Sequence, residues 1–278
     1  MPEPKTLPIE APDGHRFEAI LMPADRPRNL VYWLPALGVS ARAYRPLARA
    51  LAERGITSVV HEWRGIGSSS LRAGRGSDWG YRELLETDIE AGLAVLEPAM
   101  GPRAIGGHSL GAQLAALALA RRPECADGLV ITGGGAPYWK SFPWPMKGLL
   151  PLVFGGFRSV SALRGYYPGK RLGFAGNEAR RLIRDWARSG WTGCYRPEGV
   201  ETDLEAAMAD LEKPVLTVSM DRDWFVPRGS LDWLLGKLPR CKVHSVVLDR
   251  EDFKDQRPDH FGWMKEPDPV AERIDEWL

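Results

Sequence analysis

The segment at residues 107–111, with the sequence GHSLG, follows the pattern G-x-S-x-G and lies between a strand-like run and a helix-like run. When this pattern forms a sharp strand-to-helix turn, the serine takes a positive φ, and the residues two before and two after it must be small. Gly107 and Gly111 meet that requirement. The sequence therefore predicts a nucleophile elbow, which holds the hydroxyl of Ser109 out of the sheet, where a base and a substrate can reach it.

The residues on both sides of this segment have the order of strand, turn and helix that an elbow needs. Residues 103–106 form a short apolar run that the Gly-Pro pair at 101–102 bounds, and residues 110–120, LGAQLAALALA, are rich in helix-forming alanine and leucine. Phosphate-binding loops do not fit, because no G-x-G-x-x-G can be placed here and Ala112 stands where a Walker lysine would follow. The remaining alternative is that Ser109 is an ordinary helix N-cap after a glycine turn.

The composition is that of a mid-sized globular protein with no marked charge. A chain of 278 residues can bury a full core as one α/β domain with an insertion, and 44% hydrophobic and 26% charged residues are ordinary for that class. A net charge of +1 gives no electrostatic footprint for nucleic acid or an anionic membrane. The three cysteines, Cys125, Cys194 and Cys241, are widely spaced, which argues against a disulfide framework or a zinc site and favours a reducing compartment.

The N-terminal segment and the hydropathy of the chain give no targeting signal. Residues 1–14 lack the apolar core of a signal peptide, and no window of about 18 apolar residues occurs. We therefore expect a cytoplasmic protein without stable membrane association and without a nucleic-acid partner. The sequence does not predict the oligomeric state.

Strand-like and helix-like runs alternate along the chain, which favours an α/β fold with a mainly parallel sheet between two layers of helices. The predicted strands lie near residues 16–22, 29–34, 57–62, 103–107, 127–132, 214–220 and 242–248. The predicted helices lie near residues 41–54, 81–97, 109–121, 228–238 and 268–278. The pattern divides the chain into a first part of the core at 1–134, an insertion at 135–208 and a second part of the core at 209–278.

The insertion is rich in aromatic residues, prolines and glycines, and it breaks the alternation of strands and helices. A structureless loop of that length does not belong in a compact domain, so we predict a small helical cap inserted after a strand end. Open α/β sheets bind ligands at the carboxyl ends of their strands, where such a cap would lie. We expect most of its tryptophans to pack the cap onto the core, with Trp139 and Trp144 as the first candidates for substrate contact.

These motifs resemble the α/β-hydrolase superfamily, in its branch of esterases, monoglyceride lipases and serine aminopeptidases. That superfamily orders its catalytic residues along the chain as nucleophile, acid and histidine, so the resemblance implies Ser109, Asp223 and His260. Asp223 begins a segment similar to D-x-x-V-P after the strand that follows the cap, and Asp221 is the competing acid. The histidine segment is similar to the common G-H-F pattern, with Asp259 in the place of the glycine.

A serine nucleophile also demands a histidine and a carboxylate on chemical grounds. The hydroxyl is a weak nucleophile at neutral pH, so a neutral imidazole must take its proton, and a carboxylate must hold the imidazole in the right tautomer. The chain has five histidines, and we expect the four besides His260 to be structural. They are His15 near the N-terminus, His61 at the end of a strand, His108 beside the serine and His244 inside the last predicted strand.

Acyl transfer to a serine further needs two N–H donors for the negative charge that develops on the substrate oxygen. The elbow supplies one as the amide of Leu110 at the start of the helix. The second should come from the loop after the strand at 29–34, where many relatives carry His-Gly. Pro35 has no N–H, so Ala36, Leu37 and Gly38 remain, and by position we predict Leu37.

The resemblance therefore implies a serine hydrolase that cleaves an acyl bond of a small-molecule substrate, in the first place a carboxylic ester, through an acyl-enzyme intermediate. It implies no cofactor and no metal. The same three residues would also serve an acyltransferase, a thioesterase or a peptidase. A non-catalytic binding module on a hydrolase scaffold is the alternative from a different class.

Overall fold

Eight strands form one mixed sheet at the centre of the computed structural model, which describes residues 3–96 and 104–278. In chain order they are β1 (Lys5–Glu10), β2 (Arg16–Met22), β3 (Asn29–Leu34), β4 (Ile56–Val60), β5 (Ala104–His108), β6 (Gly128–Thr132), β9 (Pro214–Met220) and β10 (Lys242–Leu248). The order across the sheet is β1-β2-β4-β3-β5-β6-β9-β10. The first two strands are antiparallel to their neighbours, and the strands from β4 to β10 are parallel.

The buried parallel strands follow the apolar runs in the sequence closely. The predicted bounds of β2, β3, β9 and β10 match the structure, and β4, β5 and β6 differ from it by one or two residues. Arg103 and the pair at 101–102, which we used to place β5, lie outside the described residues. β1 was not predicted, because it packs at an edge of the sheet with Ile9 as its only buried residue and so lacks an apolar pattern.

The helices lie on both faces of the sheet, as the alternation predicts. The core helices are α1 (Arg45–Glu53), α2 (Tyr81–Glu83), α3 (Ile89–Ala94), α4 (Leu110–Arg121), α9 (Arg228–Leu235) and α10 (Asp268–Trp277). A π-helical turn joins α2 to α3, so the single helix predicted near 81–97 is interrupted there, and its last residue lies outside the described part of the chain. α4 is buried along nearly its whole length, as expected for a helix that is apolar on all sides.

A helical insertion separates β6 from β9 and lies over the carboxyl ends of the parallel strands. It contains α5 (Met146–Arg164), α6 (Gly169–Leu172), α7 (Arg180–Thr192), α8 (Leu204–Asp210) and a ribbon of two short strands, β7 (Tyr166–Pro168) and β8 (Asn177–Ala179). α5 and α7 pack so closely that a Cβ on Gly190 would lie 2.4 Å from the ring of Phe154. The predicted boundary between 208 and 209 falls inside α8, which packs against α4.

Within residues 3–96 and 104–278, no helix is both long enough and apolar enough to cross a lipid bilayer.

Candidate active site

The segment at 107–111 forms a tight turn from β5 into α4, with Ser109 at φ 55° and ψ −118°. Few residues other than glycine adopt a positive φ, and such strain is typical of functional sites. The flanking glycines are required by space: a Cβ on Gly107 would lie 2.5 Å from the carbonyl carbon of Gly111, and one on Gly111 would lie 2.0 Å from the oxygen of Leu34. The predicted elbow geometry is therefore present.

The structure brings the three predicted residues, from three distant parts of the chain, into one hydrogen-bonded series. Nε2 of His260 lies 3.0 Å from Oγ of Ser109, and Nδ1 of His260 lies 2.8 Å from Oδ2 of Asp223. Asp223 and His260 are buried, whereas Ser109 is half-buried beside a cavity. In this arrangement the imidazole can accept the serine proton on one side while the carboxylate holds its other nitrogen.

Asp223 is held by the turn that follows β9. Its Oδ1 accepts hydrogen bonds from the N–H groups of Phe225 and Val226, both at 3.0 Å, so only Oδ2 is directed at the histidine. The competing carboxylate of Asp221 is exposed and lies 3.9 Å from Nε of Arg222. The structure thus places Asp223, and not Asp221, beside His260.

The turn that carries His260 explains why an aspartate precedes it. Oδ1 of Asp259 accepts hydrogen bonds from the N–H groups of Phe261 at 3.1 Å and Gly262 at 2.7 Å. The buried indole of Trp263 donates a hydrogen bond to the carbonyl oxygen of His260 at 3.1 Å. Asp259 therefore builds the histidine turn through its side chain.

A buried tyrosine connects the elbow to the loop after β3. The hydroxyl of Tyr44 accepts a hydrogen bond from the N–H of Ala36 at 2.9 Å, and it lies 2.9 Å from Nδ1 of His108. Burial, together with the nearby charge of His260, lowers the pKa of His108 well below its usual value, so this ring stays neutral. The sequence had no signal for Tyr44, because its partners are distant along the chain.

The two predicted oxyanion donors lie on the same side of the site. The loop after β3 presses against the elbow, and both Leu37 and Leu110 line the cavity beside Ser109. Pro35 accepts a hydrogen bond from the indole N–H of Trp63 at 2.8 Å, which fixes the start of this loop. Among the described residues, nothing accepts a hydrogen bond from the N–H of Leu37 or of Leu110. Both groups are therefore free to bind an oxygen of a ligand.

An apolar cavity of about 320 Å³ opens at Ser109 and His260. The two predicted tryptophans are not among its lining residues, which corrects that prediction. Trp144 is 76% exposed and covers Gly148, and Trp139 packs against Tyr138. Other apolar side chains of the insertion line the cavity instead, from one face of α5 and from the segments beside it. They include Phe142, Leu150, Val153, Phe154, Phe157 and Phe174.

The insertion packs closely against the loop after β3, beside a buried glutamate. A Cβ on Gly38 would lie 2.2 Å from the nitrogen of Gly176, and that nitrogen donates a hydrogen bond to Oε1 of Glu178 at 2.9 Å. Burial raises the pKa of Glu178 to about 7, although the Gly176 hydrogen bond and the charge of Lys170 favour its ionised form. Sequence reasoning missed this residue, because nothing near it in the chain indicates burial.

Replacing this carboxyl is expected to change the pH dependence of stability. The pKa of Glu178 is higher in the folded protein than its ordinary value of 4.5, so its contribution is complete below pH 4.5 and is lost as the pH rises to about 7. Glu178→Gln keeps the acceptor for Gly176 and carries no charge. We expect its Tm to equal that of the wild type at pH 4 and to exceed it by about 2 to 6 °C at pH 8. Equal differences at both pH values would contradict a buried, titrating carboxyl.

A second set of serine, histidine and aspartate lies inside the core, and unlike the first set it does not open onto the apolar cavity. His15 lies 2.9 Å from Asp88 and 2.8 Å from Oγ of Ser69. Burial would raise the pKa of Asp88, but hydrogen bonds from His15 and Arg64 outweigh it and lower that pKa. Oγ of Ser69 also accepts the N–H of Gly65 at 2.9 Å, and the residue is 4% exposed. This set has the hydrogen bonds of a triad without room for a substrate, so its role is structural.

Within the described ranges, no group of three or more His, Cys, Asp or Glu side chains is arranged to hold a metal ion.

Comparisons with known proteins agree with this architecture. A comparison with the curated proteins found no match. The esterase domain of a Rhodothermus marinus protein has a TM-score of 0.63 at 17% identity, over 99% of this chain and 97% of that one. Est816, described as an N-acyl homoserine lactone degrading enzyme, has a TM-score of 0.65 at 15% identity, over 98% and 100%. The thioesterase domain from the curacin biosynthetic pathway has a TM-score of 0.62 at 15% identity, over 98% of this chain and 99% of that one.

At these identities the solved structures are similar in fold alone. The family model described as serine aminopeptidase, S33 matches residues 25–164, which include β3, the elbow and the start of the insertion. This match covers half of the chain. The chain therefore belongs to the serine aminopeptidase S33 family of the α/β hydrolases.

Proposed function

We propose that this protein is a serine hydrolase that cleaves an acyl bond, in the first place a carboxylic ester, through an acyl-enzyme intermediate. One observation carries the proposal: Oγ of Ser109 lies 3.0 Å from Nε2 of a histidine whose other nitrogen lies 2.8 Å from a buried carboxylate, and this series faces a cavity. The hydrolase family of the chain agrees with it.

In the first half of the proposed reaction, Oγ of Ser109 attacks the substrate carbonyl carbon while its proton moves to Nε2 of His260. Asp223 holds the imidazole in the tautomer with a free Nε2 and stabilises the cation that forms. The imidazolium then gives its proton to the departing alcohol, and the acyl group remains on Ser109. In the second half, His260 takes a proton from water, the hydroxide attacks the acyl-enzyme, and the acid leaves as Ser109 regains its proton.

The amides of Leu37 and Leu110 are the proposed donors to the tetrahedral oxyanion. Both N–H groups are without acceptors among the described residues, and both residues line the cavity beside Ser109. Donors that are already in place stabilise a charge that exists only in the transition state, so they accelerate the reaction rather than bind the substrate alone.

The cavity is the proposed site of the acyl group. Its volume of about 320 Å³ and its apolar lining fit an acyl chain of short to medium length better than a long one. Each methylene that enters should add up to about 0.8 kcal/mol of transition-state binding until the cavity is full. Thioesters and amides share the same first step, and an acyltransferase differs only in the acceptor that replaces water.

The proposal is tested with an active-site serine probe and a panel of substrates. A fluorophosphonate should label the purified wild-type protein at one site, and kcat/KM should rise with acyl length from acetyl and then fall. Esters, thioesters and amides of one acyl group would rank the leaving groups, and added alcohol would reveal acyl transfer. A protein that binds these ligands but is neither labelled nor active would be a binding module, which would overturn the proposal.

A further inference from the structure

Gln113 occupies a place in the cavity that none of the steps above uses. It follows Ser109 by one turn of α4, and its N–H donates a hydrogen bond to the carbonyl oxygen of Ser109 at 3.3 Å. Gln113 is 5% exposed, and it lines the same cavity as Ser109. A buried polar side chain and the nucleophile thus face the same cavity.

The orientation of this amide is set by a buried tyrosine. The hydroxyl of Tyr195 donates a hydrogen bond to Oε1 of Gln113 at 3.1 Å. Burial raises the pKa of Tyr195, so its hydroxyl keeps the proton that this bond requires. Tyr195 is itself held by a hydrogen bond from its N–H to Glu205 at 2.6 Å. Because Oε1 is occupied, Nε2 is the part of the amide that remains available.

Nε2 of Gln113 has no acceptor among the described residues, although it lies in an apolar setting. The hydroxyl and imidazole groups of the cavity already have partners: Ser109 and His260 pair with each other, and Ser230 donates to the carbonyl oxygen of Ala136 at 2.7 Å. Two indoles, Trp186 and Trp224, also line the cavity. Among the hydroxyl, imidazole and amide side chains of the described lining residues, Gln113 alone has unused donor capacity. A donor that faces an apolar cavity without an acceptor gains a hydrogen bond when a ligand supplies one, so an oxygen of a bound ligand is its natural partner.

We propose that Gln113 determines specificity for acyl groups that carry an acceptor oxygen close to the scissile carbonyl, such as 3-oxoacyl or 3-hydroxyacyl groups, over plain alkanoyl groups. This inference rests on the proposed hydrolysis at Ser109. The acyl group is the part concerned, because it stays bonded to Oγ of Ser109 and so remains in the cavity. An acceptor oxygen two or three bonds beyond the carbonyl carbon would lie in the cavity that Gln113 lines.

The test compares ethyl 3-oxohexanoate with ethyl hexanoate, two esters of equal chain length. The measured quantity is the ratio of their kcat/KM values, taken for the wild type and for Gln113→Met, which keeps the length of the side chain and removes the donor. Because both proteins meet the same two esters, intrinsic differences in ester reactivity cancel when the two ratios are compared. We expect the ratio to fall by about 10- to 100-fold in the variant.

A double variant guards against loss of folding. Gln113→Met leaves the hydroxyl of Tyr195 unpaired, whereas Gln113→Met with Tyr195→Phe removes both partners of that hydrogen bond. The double variant should show the same fall in the ratio. An unchanged ratio in either folded variant would overturn the inference and leave Gln113 as a structural partner of Tyr195.

Failure of the proposed hydrolysis would be separable from failure of this inference. If the wild type cleaves neither ester, binding replaces kinetics. The ratio of the affinities of the two esters is then measured for Ser109→Ala and for Ser109→Ala with Gln113→Met. A preference for the 3-oxo ester that disappears with Gln113→Met would support the inference. Equal affinities would overturn it.

Discussion

Ser109→Ala is expected to lower kcat for an activated ester by about three orders of magnitude or more, and to abolish labelling by a fluorophosphonate. The hydroxyl is the atom that would form the acyl-enzyme, and without it only the oxyanion donors and the cavity remain. Folding should be unaffected, because within residues 3–96 and 104–278 the hydroxyl of Ser109 forms a hydrogen bond with His260 alone. The measurement is steady-state kinetics together with labelling and a thermal melt.

Ser69→Ala is the matched control, since Ser69 also pairs with a histidine that pairs with an aspartate. We expect it to keep full labelling and nearly full kcat while lowering Tm, because Ser69 is buried and bonds two backbone N–H groups. A Ser109→Ala protein that retained a tenth of the wild-type kcat would remove Ser109 from its proposed role. Loss of labelling in the folded Ser69→Ala protein instead would do the same.

Asp223→Asn is expected to lower kcat by a factor of up to about 10⁴. The N–H groups of Phe225 and Val226 both bond Oδ1, so an asparagine would keep its oxygen there and direct its NH₂ at His260. Nδ1 of the imidazole would then have to accept a hydrogen bond. Its proton would move to Nε2, the atom that must take the proton of Ser109.

Asp221→Asn is the control for this second prediction, because it makes the same chemical change two residues away on an exposed side chain. It should change kcat by less than about tenfold. Equal effects of the two substitutions, or a larger effect at Asp221, would contradict the proposed role of Asp223. Melting curves of both variants show whether a change in rate reflects chemistry or unfolding.

The sequence was most informative where one local requirement decides the structure. The elbow is an example, since a serine at positive φ between a strand and a helix tolerates only small residues at Gly107 and Gly111. The buried parallel strands are another example, because strands that are buried on both faces of a sheet have continuous apolar runs. β1 was missed for the corresponding reason: an edge strand with one buried residue needs no such run.

The tryptophans show that the sequence does not indicate which aromatic side chains of the insertion face the site. Trp144 and Phe154 are both large and apolar, and both belong to the insertion, yet the first is 76% exposed and the second is fully buried at the cavity. Trp144 precedes α5 and covers Gly148, whereas Phe154 lies on the face of α5 that lines the cavity. Aromatic content therefore predicted that the insertion covers a site without indicating which side chains reach it.

The sequence by itself determined the elbow, the parallel core, the order of the three candidate catalytic residues and the presence of an insertion, because each depends on periodicity, on backbone conformation or on motifs within a few neighbouring residues. Only the tertiary structure decided which polar groups meet, such as Tyr44 with His108 and Tyr195 with Gln113. It alone also separated the accessible serine at 109 from the buried one at 69, which pairs with a different histidine. Such pairings join positions far apart in the chain, and burial and access depend on how every element packs.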